Sequence, residues 1–272
     1  MSFRAACVQL RSSDDVEENI RVASEFIREA KGRGAEFVAT PENTTLMAPD
    51  GGAKLEKSFP EESDPALPRF RALAEELGLW MLIGSLAIKV NEQKTANRSF
   101  LIDPGGRIAA RYDKIFLFDV DLPSGESYRE SSTVAGGDRA MVADLPWGRL
   151  GLSICYDLRF PQLYRRLAQN GAFILAVPSA FTETTGKAHW HALLRARAIE
   201  NGAFVIAPAQ GGKHANGRKT YGHSLIVAPW GEILADGGTE PGLIVADIDF
   251  DAVRIARERV PSLLHDRDFK GP

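Results

Sequence analysis

Short apolar runs closed by Gly, Pro or charged residues alternate along this chain with longer stretches at helical spacing. The first run, Ala5-Ala6-Cys7-Val8-Gln9-Leu10, predicts a strand. After it Ile20, Ala23, Phe26, Ile27 and Ala30 recur three and four apart, which places them on one face of a helix. Asp14 or Asp15 stands where that helix wants an N-cap, and Gly32 and Gly34 stand where it must stop. Glu36-Phe37-Val38-Ala39 then predicts a second strand that runs directly into Thr40-Pro41-Glu42-Asn43.

The same punctuation continues. Pro65 to Leu77 predicts a helix ended by Gly78, and Trp80 to Ile88 a strand. Ser99 to Asp103 and Arg107 to Arg111 predict a hairpin about Pro104-Gly105-Gly106. Phe118 to Asp138 has no period and is rich in Ser, Gly, Asp and Glu; a loop of that length in a compact domain is usually functional. Strands are expected at Arg149 to Ile154, Phe173 to Val177, Phe204 to Pro208, Tyr221 to Val227 and Leu243 to Ile248. Helices are expected from Pro161 to Ala168, with Pro near its first position, and from Lys187 to Glu200. Pro229-Trp230-Gly231 is the turn of a second hairpin. Strands that alternate with helices in both halves, with hairpins between others, favour an α/β layered fold with mixed sheets. Two sheets face to face with helices outside satisfy both patterns.

Composition narrows the class. The chain has 272 residues, 44% of them hydrophobic, and a formal net charge of −3. That suits one large domain over residues 1–272 which needs no disulfide or metal staple. Charges of both signs are interspersed, which argues against a nucleic-acid partner. The N-terminus has no signal-peptide pattern and no run is long enough to span a bilayer, so no membrane partner is expected. With only Cys7 and Cys155, the expectation is a reducing, cytoplasmic setting. Asn43 and Asn97 begin Asn-x-Ser/Thr triplets, and neither is expected to carry a glycan.

Candidate chemistry begins with Cys155, in Gly151-Leu152-Ser153-Ile154-Cys155-Tyr156-Asp157-Leu158-Arg159-Phe160-Pro161. It falls where a buried strand ends and a helix begins. Backbone N–H groups there lack helical partners, and they can favour a thiolate or hold an oxyanion. A buried structural cysteine is the alternative reading, and Cys7, inside a strand run, reads as core. A thiol with a pKa near ~8.5 needs a base or a cation to react at neutral pH. His189, His191, His214, His223 and His265 leave a Cys–His dyad open. His189-Trp190-His191 has the look of a metal motif, but no Cys or acidic residue stands at ligand spacing beside it, so a core or capping role is expected. Glu42 leaves the end of a short strand, where a solvated carboxylate is the plain reading. Lys114, in Tyr112-Asp113-Lys114-Ile115-Phe116-Leu117-Phe118, has apolar neighbours past which a lysine ordinarily snorkels to water.

Taken together, these three segments resemble the nitrilase superfamily of carbon–nitrogen hydrolases, in which the order is Glu, Lys, Cys. The likeness extends to Lys114 through Asp121, Tyr128-Arg129-Glu130-Ser131, Cys155 through Pro161, Pro178-Ser179-Ala180-Phe181, Thr185 through Trp190 and Arg195 through Glu200. These look like the NIT branch, and the resemblance runs from Ala5 to about Arg267. Ala209-Gln210-Gly211-Gly212-Lys213-His214, Tyr221-Gly222-His223-Ser224 and Pro241-Gly242-Leu243 are similar to the amidases of deaminated glutathione within it. The loop Leu122-Pro123-Ser124-Gly125-Glu126-Ser127 departs from the pattern in being more polar, which bears on the pocket rim.

The resemblance implies a four-layer α-β-β-α sandwich. It implies Cys155 as nucleophile, Glu42 as general base and Lys114 as oxyanion stabiliser, with the Tyr156 backbone N–H as a second oxyanion donor. Glu130 is implied beside Lys114, a plain loop carboxylate being the alternative. Arg159 is implied as partner of a substrate carboxylate, and Phe181 and Thr182 as pocket lining. No cofactor and no metal are implied. The implied substrate is the small-molecule amide deaminated glutathione, split into 2-oxoglutarate and cysteinylglycine. An ω-amidase acting on 2-oxoglutaramate, and a non-catalytic binding protein on the same fold, are the alternatives. A homodimer or higher homo-oligomer is implied, with the tail from about residue 250 at a dimer interface.

Overall fold

Period-two burial in the first strand sets the architecture. Strand β1 (Ser2–Gln9) sends Ala5 and Cys7 into one apolar core and Ala6 and Val8 into another. β2 (Phe37–Ala39) repeats this, with Phe37 and Ala39 on the first side and Val38 on the second. A strand buried on both faces must be covered twice. Helices α1 (Val16–Gly32) and α3 (Leu67–Leu77) cover one face through Ile20, Ala23, Ile27, Phe70 and Leu73. The short α2 (Gly51–Glu56) lies between them in sequence. A second sheet covers the other face.

The first sheet continues through β3 (Trp80–Lys89), β4 (Thr95–Ile102) and β5 (Ile108–Asp113). A small hairpin of β6 (Asp119–Asp121) and β7 (Ser127–Arg129) follows, then β8 (Val134–Ala135), which pairs with β4. The second sheet holds β9 (Met141–Leu145), β10 (Gly148–Leu152), β11 (Ala172–Ala176) and β12 (Phe204–Ala207). Between β10 and β12 the chain forms α4 (Pro161–Gln169) and α5 (Glu183–Asn201), whose Leu163, Leu167, Trp190 and Leu194 cover the outer face. A short hairpin of β13 (Gly211–Lys213) and β14 (Lys219–Tyr221) precedes β15 (Leu225–Val227) and β16 (Ile233–Asp236). Strand β17 (Gly242–Asp249) then returns to pair antiparallel with β1. The orders are β17-β1-β2-β3-β4-β5 and β16-β15-β12-β11-β10-β9, an α-β-β-α sandwich as expected. This computed structural model describes residues 2–122, 125–215 and 217–271.

Three departures from the sequence expectations have local causes. The run Tyr221 to Val227 is not one strand but the end of β14 and all of β15, because Gly222 and His223 take φ of +71° and +53° between them. The region from Phe118 to Asp138 holds a hairpin, a 3-10 turn at Glu130–Ser132 and β8, all too short to show a period. Of the polar loop Leu122 to Ser127, Pro123 and Ser124 lie outside the described residues. The third is a helix near the C-terminus, α6 (Phe250–Arg259), which buries Phe250 and Val253 in the inter-sheet core. Arg257 of that helix donates to the carbonyls of Ala172, Asn201 and Gly202, so this part of the tail is fastened to its own chain.

Candidate active site

Three chain segments meet at the C-terminal ends of β2, β5 and β10. β2 stops at Ala39, and its last ladder bond is replaced by Thr40 N–H donating to the Leu82 carbonyl at 2.9 Å. The turn after it is closed by Thr44 Oγ1 donating to the Pro41 carbonyl at 2.7 Å, and by Asn43 N–H donating to Ser85 Oγ at 2.8 Å. Asn43 takes φ +55°, a left-handed value that asparagine tolerates better than most residues. Gly84 lets this turn sit close on β3: a Cβ there would lie 2.0 Å from the Thr40 carbonyl oxygen and 2.6 Å from the Pro178 side chain. The result is that Glu42 points inward and is buried.

Lys114 follows β5 directly, and its N–H donates to the Asn97 carbonyl at 3.0 Å. Its ammonium does not snorkel. It is buried, and it donates to Glu42 Oε1 at 2.9 Å and to Glu130 at 2.8 and 3.1 Å. Asn97 Nδ2 bridges the same two carboxylates, at 2.8 Å to Glu42 and 3.2 Å to Glu130. The second Glu42 oxygen accepts from the Ala180 backbone N–H at 2.8 Å. Glu130 also accepts from Phe118 N–H at 2.7 Å, so it ties the loop before β6 to the lysine.

Cys155 opens a 3-10 turn (Cys155–Arg159) three residues beyond β10. It has φ +51°, a strained backbone value for a non-glycine residue. Its N–H donates to the Pro178 carbonyl at 3.0 Å, which pins the elbow to the segment after β11. Asp157 braces the turn from inside. It accepts from Ile154 N–H at 2.8 Å, from the Tyr112 hydroxyl at 2.7 Å and from Phe116 N–H at 2.9 Å. The last two donors flank Lys114, so one buried carboxylate joins the cysteine turn to the lysine segment across the two sheets.

The electrostatics follow from burial and from this pairing. Burial pushes the Glu42 carboxyl up, but the Lys114 charge and hydrogen bond outweigh it and hold the group well below the usual carboxylate range. Burial opposes the Lys114 ammonium, yet Glu130 and Glu42 together hold it well above its ordinary value. Burial and the nearby Glu42 charge push the Cys155 thiol up, against the pull of Lys114. The pairing thus favours the carboxylate of Glu42, the ammonium of Lys114 and the thiol of Cys155. Burial also lifts the Asp157 carboxyl to about 6, despite its three donors.

A cavity of about 600 Å³ opens over these groups, in the size range of small-molecule sites. Glu42, Lys114, Glu130, Cys155, Tyr156, Phe181 and Thr182 all line it. Thr182 also serves α5 as N-cap, its hydroxyl accepting from Thr185 N–H at 3.4 Å. Arg159 is placed differently from the others: it does not line the cavity. Its guanidinium lies 5.3 Å from the Phe181 ring centre and 5.9 Å from that of Tyr156, and contacts His189 Nδ1 at 3.3 Å. Asn97, Asp157, Lys54, Thr185 and Arg218 are site residues the sequence reading did not find. Asn97 drew notice only as a glycosylation triplet, and its burial excludes that role.

None of the five histidines lines the cavity. His191 and His223 instead share Asp236, at 3.1 and 2.9 Å, on the far side of α5. Among the described residues this is the one group whose ligand atoms, all within 4.8 Å of one another, could hold a metal ion. Asp236 stands 45 residues from His191, which is why no acidic partner was visible beside the His189-Trp190-His191 motif.

Comparison with known proteins agrees with this geometry. The pattern of the carbon–nitrogen hydrolase family matches residues 4–258. A relative from Synechocystis sp., named deaminated glutathione amidase, is 44% identical over 268 residues, 97% of each chain. The crystal structure of the C. elegans NitFhit protein superposes with a TM-score of 0.91 at 36% identity; the match covers 98% of this chain and just under two thirds, 65%, of that one. An amidase from Nesterenkonia sp. AN1, in a glutamate-to-glutamine variant, superposes with a TM-score of 0.83 at 26% identity over 97% of this chain and 94% of its own. That variant carries the acetamide moiety of fluoroacetamide covalently at its active-site cysteine.

Proposed function

The chain belongs to the carbon–nitrogen hydrolase family, and from that premise we propose that it is an amidase of deaminated glutathione, working through a thioester on Cys155. The observation that carries the reading is the convergence of Glu42, Lys114 and Cys155 on one cavity, with the lysine held between two carboxylates. Because the resting pair is a thiol and a carboxylate, the proton moves only as the sulfur attacks. Glu42 takes it while the S–C bond forms at the amide carbon. The former carbonyl oxygen gains the negative charge, beside the Lys114 ammonium and the Tyr156 N–H; one such donor typically contributes about 2.7–4 kcal/mol in the transition state. Glu42 then gives its proton to the leaving amine as the C–N bond breaks. Water loses a proton to Glu42, attacks the thioester, and the sulfur leaves with that proton. Glu130 and Asn97 act on Lys114 and Glu42 rather than on the substrate, by fixing where their charges sit.

Phe181 and Thr182 contribute wall. Arg159 binds the keto-acid carboxylate in this reading, approaching past the Phe181 ring, and Arg159→Lys then raises KM for keto-acid amides. The remaining assignments are coarser. No helix among the described residues is long and apolar enough to cross a membrane. A cytoplasmic setting is the one in which two free cysteines are kept reduced. The chain is one domain over residues 1–272 and a homodimer, supported by exposed Ile199 on α5 and exposed Val260, Leu264 and Phe269 in the tail.

The test is hydrolysis of deaminated glutathione and 2-oxoglutaramate side by side, with metal chelated and Cys155→Ala as blank. A wide margin in kcat/KM for the first is the expected result. A margin for the second makes the chain an ω-amidase. Turnover of neither, with no acylation of Cys155, overturns the amidase reading.

A further inference from the structure

The proposed substrate has a carboxylate at each end, and Arg159 accounts for one of them. Cations on the cavity wall bear on the other. Lys114 is held by Glu42 and Glu130, and Arg129 forks onto Asp121 at 2.8 and 2.9 Å. Lys54 and Arg218 also line the cavity. Lys54, on α2, donates from Nζ to Asn43 Oδ1 at 2.8 Å. Arg218, on the turn between β13 and β14, donates from Nη2 to the Ala180 carbonyl at 2.6 Å and lies 5.3 Å from the Tyr128 ring centre.

Both cations stand on the Glu42 side of the site. Asn43 is the residue after Glu42, and the Ala180 peptide that receives Arg218 is the one whose N–H holds Glu42 Oε2. Arg218 is also among the charges that help draw the Glu42 carboxyl down. In an amide hydrolase the group that protonates the leaving amine must face it, so the leaving half of the substrate lies against Glu42. A dipeptide leaving group spans about 7 Å from its amine to its terminal carboxylate, at ~3.5 Å per extended residue. That reach fits a cavity of about 600 Å³.

We infer that Arg218, supported by Lys54, binds the terminal carboxylate of the leaving dipeptide, and so selects a peptide leaving group over ammonia. The inference rests on the amidase reading above. A guanidinium positioned by a carbonyl and an aromatic ring matches the planar geometry of a carboxylate, which a flexible ammonium does less well.

The experiment uses three amides of one keto acid: the free dipeptide acid, its C-terminal carboxamide, and the primary amide. Arg218→Gln is expected to lose about 100-fold in kcat/KM on the acid, mostly through KM, and at least tenfold less on the other two. Arg218→Lys recovers part of that loss, and Lys54→Met shows the same selectivity at smaller size. Equal loss on all three amides overturns the inference, since it marks a structural role through Ala180 and Glu42. Unselective behaviour of both variants overturns it as well. If the wild-type chain hydrolyses none of the three and Cys155 is never acylated, the amidase reading falls and this inference falls with it.

Discussion

Cys7 and Cys155 are both buried, and burial pushes both thiols up, yet only one stands among charges. Cys7 lies inside β1, facing the opposite sheet, with the backbone of Leu225, at 4.0 Å, and of Ala207 as its polar contacts. Cys155 lies past the end of β10, on a strained turn, in reach of Glu42 and Lys114. Inside a strand the backbone groups are spent on the ladder and the neighbours are apolar. At a strand end the chain must turn, so side chains from several strands converge and polar groups come within reach. The difference between the two cysteines is thus one of position along a strand, not of depth.

The largest effect should come from exchanging the two sites. Cys155→Ala is expected to lower kcat/KM by about 10⁴-fold or more with the fold intact by circular dichroism. Comparable residual turnover would make the two thiols equivalent and break the comparison. Next, Glu42→Gln should cost about 10²–10⁴-fold in hydrolysis, the usual size of general acid–base catalysis. The same variant should alkylate faster at neutral pH, because removing the Glu42 charge leaves Lys114 to lower the thiol pKa. In the wild type the iodoacetamide rate should climb with pH beyond 9 without a plateau, since the folded thiol titrates above its ordinary range. A plateau near pH 6 would mean a resting thiolate and remove the need for Glu42.

Asp157→Asn should be smaller: about a 10-fold loss in kcat and ~1–3 kcal/mol of stability, because three donors then face a single acceptor oxygen. Its pH signature has a definite sign. A carboxyl raised from 3.8 to about 6 adds stability below pH ~4 that is lost as pH rises through 6. The variant should show a flatter stability profile across that window in denaturant titrations. Smallest of all, Cys7→Ser should leave kcat/KM per folded molecule within about 2-fold while costing ~1–3 kcal/mol for an added buried hydroxyl. Any larger catalytic loss would show that the strand interior reaches the site.

This contrast also explains what could be read from the sequence. Strand ends are marked by where an apolar run stops, so Glu42, Lys114 and Cys155 could be singled out, and the order in which they occur carried the family resemblance. Asn97 sits inside β4, and it meets Glu42 only because of how β4 registers on β3 across a bulge between Ile83 and Leu86. No spacing along the chain reports that. Asp157 was quoted with the cysteine motif, but its partner Tyr112 belongs to the other sheet and Phe116 to the loop that follows it. Arg218 depends on a hairpin too short to show a period. The break at His223 was hidden because a left-handed residue leaves an apolar run looking continuous.

The upward shift of the Cys155 thiol has a consequence for its lifetime in an oxidising challenge. Peroxides react with thiolates and hardly at all with thiols, so a nucleophile stored with its proton on is poorly oxidised to sulfenic acid. A thiol held up by burial and by Glu42 has its reactivity released by the arriving amide, molecule by molecule, and withheld from hydrogen peroxide the rest of the time.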